Sequence, residues 1–176
     1  MIFFGHIGLT TGIVKGYEVA AKRLAGESML FDYRLVMLGT MLPDIIDKPI
    51  GLLFRSAFPN SRLFAHTLLF SVLLLSVGLW RCRKKQKNGV LLLGVASFIH
   101  IVLDGMWDIP QTLFWPLLSW SFPPRAGDWL AESLEHFLHD PFLMGTEIIG
   151  FAILFFFVVR SVRRKEFKRF IQAGKL

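Results

Sequence analysis

The 176-residue chain has a single cysteine, Cys82, and only two tyrosines. One thiol closes no internal disulfide, so cysteine usage says nothing about redox compartment. No Gly-rich phosphate loop, Gly-x-Ser-x-Gly elbow or Cys-x-x-Cys pair is present, which leaves nucleotide, serine-hydrolase and thiol chemistry without a motif. Charge is scarce at 19% of residues, whereas 53% are hydrophobic and Phe alone occurs 18 times. A mean hydropathy of +0.52 is too apolar for an ordinary soluble domain. The N-terminus has neither the basic start nor the small-residue cleavage site of a signal peptide, so it reads as mature sequence. There is no internal repeat or low-complexity tract, and the length fits one unit spanning residues 1–176.

The net charge of +7 is unevenly placed. Arg81, Arg83, Lys84, Lys85 and Lys87 form one basic cluster. Arg160, Arg163, Arg164, Lys165, Lys168, Arg169 and Lys175 form another in the tail. Each cluster directly follows an apolar run, which is the positive-inside pattern of a membrane protein. No aromatic-basic surface for nucleic acid is apparent. The expectation is a multi-pass protein of the cell (inner) membrane, with loop 81–87 and the tail from about residue 160 in the cytoplasm.

Hydropathy predicts three transmembrane helices, over Leu63–Trp80, Gly89–Trp107 and Phe142–Val159. Before them, Gly8–Leu24 reads as an amphipathic helix and Ala25–Asp32 as a turn. Tyr33–Met41 reads as a short helix. Pro43 and Pro49 bracket two carboxylates, Asp44 and Asp47, and disfavour an uninterrupted helix there. The N-terminal third is therefore expected as a helical hairpin that adds one or two spans or re-enters the membrane. Between the last two spans lies a Trp- and Pro-rich connection suited to a membrane interface, with a short amphipathic helix over Asp128–Leu138. The fold class is all-α.

The stretch His100-Ile-Val-Leu-Asp104 organises the chain. An imidazole and a carboxylate four residues apart on a helix share one face and can reach one metal ion. Asp108 lies one further turn along. With both basic clusters inside, His66, His100, Asp104 and Glu147 fall in one layer near the outer face. Ionisable groups at that depth are functional candidates. His6, Asp44 and Asp47 join the layer if the hairpin enters the membrane. Imidazole and carboxylate together are a ligand set for zinc, with manganese and iron as alternatives. His6, Asp44, Asp47, His66, His100 and Asp104 are thus enough for one metal, or for two. The metal would act as Lewis acid and lower the pKa of a bound water, with Asp44 or Asp47 as orienting or basic carboxylates. Lys48 and Arg62 are suited to a substrate anion such as phosphate. The competing readings are plain: a hydrogen-bonded helix pair for His100 and Asp104, turn residues for Asp44 and Asp47, surface positions for His136, His139 and Asp140.

In order and spacing, Gly5-His6, Leu42-Pro43-Asp44-Ile45-Ile46-Asp47, Arg62-Leu-Phe-Ala-His66-Thr67 and His100-Ile-Val-Leu-Asp104 resemble the YdjM-like membrane-bound metal-dependent hydrolases. The resemblance runs from about His6 to Pro123. Two residues separate the carboxylates here, where the commoner form is Pro-Asp-x-Asp. The same order is more distantly similar to zinc-dependent phospholipase C and P1 nuclease, all-helical enzymes that cleave phosphate esters with a metal cluster. That similarity implies His6, Asp44 or Asp47, His66, His100 and Asp104 as ligands, with His139 or Glu147 standing in for a later His-x-x-x-Glu. It also implies a phosphoester or lipid-linked substrate, such as a phospholipid, met at the outer interface. Two other classes fit the same layer of His and Asp: a small proton- or ion-coupled transporter, and a non-catalytic scaffold whose basic tail binds anionic lipid.

Overall fold

A computed structural model describes residues 2–26, 31–58, 60–124, 135 and 138–176. The helix expected over Asp128–Leu138 lies outside these residues apart from Glu135 and Leu138. Among the described residues the chain is all-helical, without strands. Five long helices set the architecture: α1 (Phe4–Ala25), α2 (Tyr33–Leu53), α3 (Leu68–Lys85), α4 (Gly89–Leu103) and, after a short α5 (Pro110–Leu113), α6 (Pro141–Arg163). A seven-residue α7 (Phe167–Ala173) follows.

Helix ends obey local chemistry. Asp32 caps α2 by accepting from the Arg34 amide, and the Arg34 guanidinium holds its carboxyl below the usual range. Thr67 caps α3 by accepting from the Phe70 amide. Asp140 caps α6, accepting from the Phe142 amide at 2.8 Å. α1 ends at Gly26 in the left-handed region (φ 68°), with Lys22 and Arg23 in its last turn, where cations complement the helix dipole. α1 has no cap from its own first turn. Glu147 of α6 supplies one, accepting from the Ile2, Phe3 and Phe4 amides at 2.7, 3.2 and 2.8 Å.

α1 and α6 run parallel and touch backbone to backbone at Gly8 and Gly150, where a Cβ on either would collide with the facing main chain. Such small-residue contacts let helices pack closely inside a membrane. Gly39 of α2 also packs against the Leu93 backbone of α4, and Gly78 of α3 against that of Leu91, each too close for a Cβ. The result has two ends. One gathers the starts of α1, α3 and α6 with the ends of α2 and α4. The other carries the basic clusters. Of the described lysines and arginines, only Lys48, Arg55 and Arg62 lie at the first end. At the basic end the tail is pinned to α1 and α2: Tyr33 N–H donates to Gly174 O (2.7 Å), Arg34 Nη1 to Ile171 O (2.6 Å) and Lys15 Nζ to Leu176 O (2.6 Å).

Burial is arranged inside-out relative to a soluble bundle. His6, Thr10, Thr40, Asp47, His66, Ser71, Ser97 and His100 are fully buried, while Leu73, Val77, Phe98, Ile148, Phe151, Phe155 and Phe156 are exposed. Exposed apolar surface on this scale marks an interaction with membrane or partner.

Several sequence expectations change. α2 passes without a break through both Pro43 and Pro49, because its packing on α4 fixes the helix despite two missing N–H donors. The span expected from Leu63 begins at Leu68, so His66 precedes the helix and is not in its first turn. α4 stops at Leu103 with 15 residues, roughly 22 Å at ~1.5 Å per residue. Consequently, among the described residues one helix, Pro141–Arg163, is clearly long and apolar enough to cross a membrane, where three were expected.

Candidate metal centre

Five buried donors from four segments meet at the first end. His6 comes from the opening turn of α1, Asp44 from the second half of α2, and His66 from the strap at residues 60–67. His100 comes from the last turn of α4, and Asp104 is the C-cap of that helix. All three imidazoles are fully buried, Asp44 is 6% exposed, and the Asp104 side chain is 4% exposed.

The donor atoms face one another. His66 Nε2 lies 3.3 Å from His100 Nε2. His6 Nε2 is 3.0 Å from Asp104 Oδ1, off hydrogen-bond geometry. Asp44 Oδ1 stands 3.6 Å from His66 Nε2 and 3.9 Å from His100 Nε2, and Asp104 Oδ2 stands 3.9 Å from each of the same two atoms. The His6 and His100 rings stack at 4.0 Å. Donors sharing one zinc ion at about 2.0–2.2 Å are roughly 3.4 Å apart in a tetrahedral shell. The observed separations bracket that value. Two triads satisfy metal-site spacing, His6/Asp44/His100 and His66/His100/Asp104, and both use His100. Buried imidazole nitrogens without hydrogen-bond partners are costly unless something else binds them. His6 Nε2 is such an atom, so the donor set fits a divalent cation.

Asp47, expected beside Asp44 as a ligand or base, is sealed (0% exposed) and turned to the strap. Its carboxylate accepts from the amides of Leu63, Ala65 and His66 at 2.7, 3.0 and 3.1 Å. It also bonds His66 Nδ1 at 2.7 Å. This arrangement keeps residues 63–66 out of α3 and directs His66 Nε2 to the cluster. The strap is held from outside by Asn60, which donates to Pro123 O (2.9 Å), and by the edge-to-face rings of Phe58, Phe64 and Phe122.

Lys48 and Arg62 flank the cluster. Lys48 Nζ bonds Asp44 Oδ2 at 2.7 Å, and Arg62 bonds Asp104 Oδ2 through Nε (3.0 Å) and Nη2 (2.9 Å). Both side chains reach the surface, at 40% and 26% exposure.

Three candidates from the sequence are not brought to the centre. Glu147 is the α1 cap described above. α4 ends before Asp108, which sits exposed in the 3₁₀ turn Met106–Asp108. His139 is exposed, its Nδ1 bonded to Glu135 O. Conversely, Thr10 and Thr40 escaped the sequence reading. Their hydroxyls meet at 2.9 Å, and Thr40 donates to His6 O at 3.4 Å, supporting the turn that carries His6. The signal was available, since Thr10 is four residues after His6 and Thr40 four before Asp44.

Compared with known proteins, the chain matches no curated protein and no solved structure. A protein-family model, described as YdjM inner membrane protein, covers residues 1–167. With an apolar exterior, one membrane-length helix and a match over nearly its whole length, the chain belongs to the YdjM inner membrane protein family.

Proposed function

We propose that this protein is a multi-pass inner-membrane metal-dependent hydrolase acting on a phosphoester, lipid-linked or phospholipid, at the outer interface. The observation that carries the reading is the convergence of five buried donors with ligand-like separations. His6, His66, His100, Asp44 and Asp104 would hold the metal, and among the described residues the two candidate triads share His100. Zinc suits three imidazoles and two carboxylates; manganese and iron accept the same set. When bound, the ion supplies Lewis acidity and lowers the pKa of a coordinated water.

The chain's own groups do the rest. Asp47 fixes the tautomer and orientation of His66, as carboxylates behind metal-bound histidines do. It positions and does not react, since its oxygens are occupied by amides. Lys48 and Arg62 keep donors free toward the surface and receive the substrate anion. Asp44 turns Oδ1 to the cluster while Lys48 holds its Oδ2, which fixes the carboxylate in that orientation.

The basic end is taken as cytoplasmic. α3, α4 and α6 then cross as first expected, α1 and α2 complete a five-helix bundle, and the centre faces outward. A transport reading requires polar groups continuing through the bundle. Val14, Tyr33, Val36, Leu92 and Ala96 instead form an apolar cluster between the ends, which favours hydrolysis.

Elemental analysis of the detergent-solubilised protein beside a His100→Ala/Asp104→Ala variant tests the proposal. One zinc, manganese or iron per chain is expected in the parent, with hydrolysis of at least one phosphoester in a panel. The folded variant should lose both. No metal in the parent after reconstitution would sink the reading.

A further inference from the structure

The basic end carries a second candidate site, remote from the metal centre. A cavity of about 150 Å³ is lined by Arg160 of α6, Arg164 at its C-cap, Arg169 of α7, Lys175, Glu18 and Glu166. The Glu18 carboxylate is already engaged by Lys15 and by the Tyr33 hydroxyl. No hydrogen bond or ion pair joins the four basic side chains to a carboxylate among the described residues. The cavity therefore holds an excess of positive charge and unused donors, the chemistry that receives a phosphate.

Beside it runs an apolar groove of about 420 Å³ between α1, α2, α6 and α7. Phe4, Met37, Phe151, Phe155, Val158 and Phe170 line it, and Leu176 borders both groove and cavity. Along α6 it extends from Phe151 to Ser161, roughly 15 Å at ~1.5 Å per residue. Its α6 wall is open, with Phe151, Phe155 and Val158 each about half exposed. The tail that closes the basic end is fixed through its carbonyls, which accept from the Tyr33 amide and the Arg34 guanidinium, so the basic cavity is preformed.

We infer that cavity and groove form one binding site for an anionic phospholipid, with the headgroup phosphate at Arg160, Arg164, Arg169 and Lys175 and an acyl chain along Phe151–Val158. Charge complementarity selects the headgroup, and the continuous apolar wall selects a lipid over a soluble anion. The site rests on the membrane character of the family and is independent of the metal centre.

The test uses the full chain in neutral detergent, with thermal melting and native mass spectrometry on titration with phosphatidylglycerol. Phosphatidylcholine and inorganic phosphate are titrated in parallel. Phosphatidylglycerol should bind at one equivalent and raise the melting temperature, and the other two should not. Arg160→Gln/Arg164→Gln should weaken phosphatidylglycerol roughly fivefold for each charge removed, with metal content unchanged. If that pair fails to fold, Arg169→Gln/Lys175→Gln provides the same readout. An equal response to inorganic phosphate overturns the lipid assignment, as does an equal response to phosphatidylcholine. Undiminished phosphatidylglycerol binding by the folded variants overturns the basic cavity as its site.

Discussion

At one end of the bundle Asp44, Asp47 and Asp104 are almost wholly withdrawn from solvent; at the other, Arg160, Arg164 and Arg169 stand exposed. The buried carboxylates each have named partners: Lys48 for Asp44, the strap amides and His66 for Asp47, Arg62 for Asp104. Burial of charge is tolerated only with such compensation. The exposed cations need none, because they keep their solvation. Charge at the first end is therefore buried and paired, and charge at the second is left to solvent.

The sharpest way to break this contrast is topological. Cys82 lies at the basic end as the sole thiol, so the protein reports its own orientation. A membrane-impermeant maleimide should label it in inverted vesicles and not in intact spheroplasts. Ser121→Cys in a Cys82→Ser background should show the reverse. Labelling of both positions from one side would put the two ends on the same face and undo the assignment.

Next in size is Asp47→Asn. It keeps one acceptor oxygen and turns the other into an NH2 donor facing strap amides or His66 Nδ1, at about 1–3 kcal/mol for each donor left without an acceptor. Metal affinity should fall about 10–100-fold, as expected for a group behind a ligand, measured by calorimetric titration. Complete loss of metal at unchanged melting temperature would make Asp47 a ligand itself.

Smallest is Glu147→Ala. Losing a cap costs about 0.5–2 kcal/mol, read as a lower melting temperature with metal stoichiometry intact. Loss of metal without loss of stability would return Glu147 to the centre.

Much of the centre was legible because its signals are local or additive. His100 and Asp104 announce themselves by helical spacing, and the basic clusters fix the depth at which His66 joins them. What was not legible depends on contacts distant in sequence. Hydropathy reads Leu63–Ala65 as the start of a span, since it cannot see that Asp47 takes their amides. The proline rule is likewise local, and packing of α2 on α4 overrides it at Pro43 and Pro49. Glu147 shares the depth of the centre but not its contacts, because its side chain meets the start of α1. Sequence position puts it at the same end of the bundle as the cluster and cannot place it around the bundle.

The Glu147 cap also has a temporal consequence. His6 is polymerised near the beginning of synthesis and Glu147 some 140 residues later, a delay of about 7–28 s at ~5–20 residues per second. Until α6 arrives, the amides of Ile2, Phe3 and Phe4 lack their acceptor and Gly8 lacks the surface it rests on. The earliest histidine of the cluster is thus locked last, and on the proposed function metal capture would be a checkpoint on completed insertion. A chain halted before Pro141 should retain far less metal than one released after Arg163, and equal retention would remove that checkpoint.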